Sequence, residues 1–76
     1  MIHLADSIRV GSLRGYLWQK SISGYHYEIE VLDEEGNQVH TEELHDKSFE
    51  QALSELHSVI KALCFTEELQ IYEEFA

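Results

Sequence analysis

Four of the five histidines, His26, His40, His45 and His57, stand among carboxylates, and metal binding is the first chemistry the chain offers. Imidazole is the commonest protein ligand for zinc, and a carboxylate can complete its shell. The spacing argues the other way. His40 and His45 lie five apart in a stretch that reads as strand running into loop, and neither a His-x-x-x-His pair on a helix nor a Cys-x-x-Cys pair is present. These histidines are therefore read as exposed polar residues, with no metal and no cofactor expected.

Catalysis by side chains fares no better. Paired carboxylates doing acid and base work need a cleft that desolvates one of them, and 76 residues leave little depth for it. Cys64 and His57 are a formal nucleophile and base, but seven residues along one helix is two turns, roughly 10 Å, which is out of reach. Cys64 is expected to be a buried or half-buried structural residue. Gly11 and Gly15 are followed by no lysine-serine signature, so no phosphate loop is present. The chain is not expected to be an enzyme.

Trp18, Tyr16, Tyr25 and Tyr27 have the composition of a stacking platform for single-stranded nucleic acid, but such platforms sit in basic grooves. Here the neighbouring segment carries Glu28 and Glu30, and core packing is the expected role of the aromatics. That leaves the carboxylates. Met1 to Gly24 holds Arg9, Arg14 and Lys20 against Asp6, or +2, while the remainder holds fourteen acids against Lys47 and Lys61, or −12; together they give the net −10. Charge of this sign argues against direct binding of nucleic acid or anionic lipid, both of which are attracted by basic patches.

The elements that position these groups follow from periodicity. From Ile8 to Ile22 apolar residues recur without helical period, predicting one or two strands punctuated by Gly11 and Gly15. Ser21-Ile22-Ser23-Gly24 predicts a turn. Tyr25 to Asp33 alternates cleanly, with Tyr25, Tyr27, Ile29 and Val31 expected on the core face and His26, Glu28 and Glu30 on the wet one. Asp33 to Asn37 then predicts a hairpin turn in which Gly36 and Asn37 are best able to take positive φ, with a return strand from Gln38 to about Thr41 or Glu43. Ser48-Phe49-Glu50-Gln51 matches a capping box, opening a helix whose stripe of Phe49, Ala52, Leu53, Leu56, Ile60 and Leu63 runs to about Cys64. Thr66-Glu67-Glu68-Leu69 reads as a second helix start, with a short terminal strand as the alternative.

Glu28 and Glu30 would then point the same way about 7 Å apart, and a return strand carrying His40 and Glu42 is expected to extend the row. A ladder of negative charge attracts the same basic groove that holds a nucleic-acid backbone. A solvated face that only keeps a small domain soluble accounts for the same charges. In size and charge the chain resembles small phage-encoded inhibitors of restriction or CRISPR systems. The order of strand, turn, strand and a helix opened by Ser48-Phe49-Glu50-Gln51-Ala52-Leu53 also resembles the small half of HicB-type antitoxins, over Tyr25 to Leu63. The chain has no proline, however, so that family's proline-bearing loop has no counterpart, and the length leaves no place for its DNA-binding part. The family is not adopted.

Hydrophobic content of 43% with eight aromatics predicts a folded core, and 76 residues predict a single small acidic domain. One cysteine cannot form an internal disulfide, the start lacks the features of a signal peptide, and no stretch approaches the roughly 20 apolar residues that cross a bilayer. A cytoplasmic protein without membrane contact is expected. The predicted fold is α+β, a three-stranded antiparallel sheet on one main helix with a short C-terminal helix or strand. The expected function is a non-enzymatic protein-binding module docking on a basic protein, such as a nucleic-acid-processing enzyme or complex, through Glu28, Glu30, Asp33, Glu34, Glu35, Glu42 and Glu43. The alternative is a structural subunit or homodimer, formed by strand addition at a first-strand edge that buries Tyr16 and Trp18.

Overall fold

In the computed structural model the description covers residues 2–75, with side chains described for residues 2–65. Four strands and one helix follow in order: β1 (His3–Val10), β2 (Leu13–Gln19), β3 (His26–Leu32), β4 (Gln38–His45) and α1 (Phe49–Phe75). The strands form an antiparallel meander in sequence order, and α1 packs over β1, β2 and β3 on one face. The α+β class is as expected, and the sheet has four strands rather than three.

The extra strand comes from the segment read as starting at Ile8. The ladder instead begins at His3, and a bulge between Leu4 and Asp6 breaks the alternation that would have marked it. Val10 pairs with Leu13 across Gly11 and Ser12, a two-residue turn with positive φ only at Gly11, as a type II′ turn requires. Gly15 does not punctuate the chain: it lies inside β2, under the helix. A Cβ there would come within 2.9 Å of Leu56 Cδ1 and 3.1 Å of Ile60 Cδ1, so the missing side chain is the seat on which α1 rests. Ser21 to Gly24 form the expected turn, which Gly24 closes by donating to the Ser21 carbonyl, and Ile22, also expected to end the strand segment, is exposed within it.

β3 buries Tyr27, Ile29 and Val31 as its alternation predicts, although Tyr25 lies ahead of the strand and is exposed. With Leu13, Leu17, Leu44, Ala52, Leu56 and Ile60 they make the core, and Ala5, Ile8, Val10, Leu53, Val59, Leu63 and Cys64 pack around it. The helix opens with the expected reciprocal cap: the Gln51 amide donates to Ser48 Oγ at 3.2 Å, and the Ser48 amide donates to Gln51 Oε1 at 2.9 Å. Cys64 is half-buried, and its thiol donates to the Val10 carbonyl at 3.3 Å, tying the helix to the first strand. No second element begins at Thr66, because α1 runs unbroken to Phe75. The stretch contains neither glycine nor proline to stop it. The expected shared face of Leu69, Tyr72 and Phe75 lies outside the described side chains. Among the described residues no helix is long and apolar enough to cross a membrane.

Candidate docking face

The helix covers one side of the sheet and leaves the other open. Register decides what stands there. Trp18 pairs with Glu28 and Tyr16 with Glu30 across β2 and β3, while Glu28 pairs with Glu43 and Glu30 with Thr41 across β3 and β4. Directly opposed residues share a face, so Tyr16, Trp18, Glu28, Glu30, Thr41 and Glu43 form one surface. Trp18 and Tyr16 are half-buried there with ring centroids 6.2 Å apart, and only Tyr27 of the four aromatics expected in the core is in it.

The expected extension of the acidic row through His40 and Glu42 is corrected by the same register. His40 pairs with Val31 and Glu42 with Ile29, both core residues, so these two side chains lie on the helix side of the sheet. They stay partly exposed because α1 does not reach over that end of the edge strand β4. His40 Nε2 stands 3.6 Å from Glu42 Oε1. Glu43, not Glu42, continues the row.

The carboxylates of the row are held in place. Lys20 Nζ donates to Glu28 Oε2 at 2.8 Å and stands 3.6 Å from Glu43 Oε1. The hydrogen bond to Glu28 raises the Lys20 ammonium above its ordinary value; desolvation opposes this, and the charges of Glu28 and Glu43 add to it. Glu30 accepts from Trp18 Nε1 at 3.2 Å and from Gln38 Nε2 at 3.0 Å. Ile2, Trp18, Lys20, Glu28 and Glu30 line a shallow depression of about 310 Å³, an apolar floor with charged walls. Arg9 and Arg14, opposed across β1 and β2, form a basic corner beside Tyr16.

Asp33, Glu34 and Glu35 stand at the β3–β4 turn. Asp33 Oδ1 accepts from the amides of Glu35 and Asn37, each at 2.9 Å, and the Gly36 amide donates to the Asp33 carbonyl at 3.1 Å. These donors, the Asn37 amide first, hold the Asp33 carboxyl below its usual range against the opposing effect of desolvation. Gly36 takes positive φ as expected and Asn37 does not; Asn37 serves instead as a donor to Asp33. Asp33 therefore builds the turn, while Glu34 and Glu35 are exposed at its tip.

Trp18, Lys20 and Gln38 as fixed partners of the row, and His26 with His45 beside it, are not singled out by spacing along the chain. The signal for the first two is the alternation Arg14, Tyr16, Trp18, Lys20 against Leu13, Gly15, Leu17. No protein-family model, curated protein or solved structure matches this chain.

Proposed function

We propose that this chain is a non-enzymatic protein-binding module of the cytoplasm whose acidic surface docks on a basic protein. One observation carries the reading: the hairpin from His26 to His45 holds seven carboxylates and no lysine or arginine. Glu28, Glu30 and Glu43 occupy its open face, Asp33, Glu34 and Glu35 its turn, and Glu42 lies around the β4 edge. Positions held by Lys20, Trp18 and Gln38 lose less side-chain freedom on docking than a floppy row would, which favours association. A groove lined with lysine and arginine for a phosphate backbone is the complementary surface. The specific form of the proposal is a phage-type inhibitor that mimics nucleic acid before a restriction or CRISPR complex.

The test is capture from host lysate at low and high salt, with the protein's own mass measured by light scattering in both. Exposed charges are screened beyond about 8 Å at physiological ionic strength, so a basic nucleic-acid-processing partner should be retained at low salt and released at high salt. Retention that ignores salt, or no basic partner at either salt, would contradict the proposal. A second reading, a homodimeric structural subunit, is favoured by one observation: Ile2 and Leu4 are exposed beside and on the edge strand β1. Tyr16 and Trp18 would not be buried by backbone pairing at that edge, since they sit on the interior strand β2. A salt-resistant dimer would favour this reading over the first.

A further inference from the structure

At the end of the open face nearest the β2–β3 turn, His26 of β3 and His45 of β4 are direct cross-strand partners. Their rings stack with centroids 4.3 Å apart at an angle of 25°. Glu43 precedes His45 by two residues, so the pleat puts both on the same face. Glu43 Oε2 is 3.4 Å from His45 Nε2 and 3.8 Å from His26 Nε2. One nitrogen from each imidazole and one carboxylate oxygen all lie within 4.8 Å of one another.

Hydrogen bonding between His45 and Glu43 accounts for only part of this convergence. His26 Nε2 is buried and has no hydrogen-bond partner among the described residues, although a buried ring nitrogen ordinarily has one. Lys20 engages Glu43 through Oε1 and is more closely paired with Glu28, which leaves Oε2 facing the two rings.

We propose that His26, Glu43 and His45 form a binding site for a divalent transition metal of the zinc type. Two imidazole nitrogens and one carboxylate oxygen are a donor set that suits zinc, and three protein ligands leave a fourth tetrahedral position open to solvent or to a partner's side chain. Bonds of about 2.0–2.2 Å put tetrahedral ligands roughly 3.4 Å apart, so the side chains must turn from their stacked arrangement to bring donors now within 4.8 Å of one another onto a single ion. All three ligands stand on paired strands, and the ladder rather than a loop sets their backbone separation. The helix-spacing patterns sought in the sequence do not describe a site built across two strands.

Titration of the full chain with zinc chloride in a calorimeter, and with cobalt(II) chloride by visible absorption, tests the site. The expected result is one ion per chain with a tetrahedral-type cobalt spectrum. His45→Gln changes an exposed side chain, so the fold should survive, checked by circular dichroism; it should weaken zinc binding at least tenfold and abolish the cobalt bands. Glu43→Gln should also weaken binding, whereas His40→Gln, on the other side of the sheet, should leave it unchanged. Absence of zinc binding by the parent chain, undiminished binding by His45→Gln, or an equal loss in His40→Gln would each overturn the proposal.

Discussion

Between His3 and Gln19 the sheet carries Arg9 and Arg14 against Asp6; between His26 and His45 it carries seven carboxylates without a lysine or arginine. The two hairpins also differ in what holds them. The first lies under α1, with Gly15 making room for Leu56 and Ile60, Leu13 and Leu17 buried, and Cys64 bonded to Val10. The second contributes β3 to the core, but its outer strand β4 buries only Leu44 and is held by the ladder and by the turn around Asp33. Burial and charge are thereby separated in space. A chain this short cannot desolvate many carboxylates, so it places them where the helix does not reach.

That contrast can be broken most severely in the first hairpin. Leu17→Ala removes a fully buried side chain and should cost about 2–5 kcal/mol in urea unfolding, whereas Val39→Ala on the exposed side of the second hairpin should stay within about 0.5 kcal/mol. Equal losses would mean that β4 is packed as tightly as β2. Next in size is Gly15→Val, for which crowding against the helix should cost about 1–3 kcal/mol. Gly15→Ala should cost less, because it adds one methyl and its two nearest neighbours, Leu56 Cδ1 and Ile60 Cδ1, are side-chain tips. In the second hairpin, Gly36→Ala meets no neighbouring atom, and its positive φ alone should cost about 1–2 kcal/mol.

The smallest effect concerns pH. Asp33 is held below its ordinary value by the Asn37 amide and other donors, and Glu43 is lowered by Lys20, His26 and His45 despite desolvation, its largest single influence, which acts upward. A carboxylate lowered in the folded state contributes stability above its unfolded value, and that contribution is lost as pH falls through the folded value. The turn should therefore weaken in acid below about pH 4. Urea unfolding followed from neutral to acid pH should give a shallower acid slope for Asp33→Asn than for the parent chain; identical slopes would remove Asp33 from the account.

Much of this architecture is legible in the residues. The alternation of Tyr27, Ile29 and Val31 marks β3, and Ser48 with Gln51 marks the helix start, because each is a local pattern with one physical meaning. β1 is not legible, since the bulge at Leu4–Asp6 breaks its period. The end of α1 is misread because Thr66-Glu67-Glu68 has the chemistry of a cap, while nothing before it stops the helix. The face of Glu42 depends on register, where a slip of one residue exchanges the two sides. The richness in carboxylates is plain from composition, but two of the partners that fix them come from outside the hairpin, Trp18 on β2 and Lys20 just after it. The His26–His45 pair is likewise a product of register, invisible to spacing along the chain.

The most direct measurement compares two charge-matched variants in capture at low salt. E34K/E35K reverses exposed acids at the tip of the second hairpin, and E50K/E55K reverses the same number of charges on the helix. The basic partner retained by the parent chain should also be retained by E50K/E55K and be lost from E34K/E35K. Equal loss from both would show that net charge alone attracts the partner, and retention by both would remove the tip of the second hairpin from the docking surface.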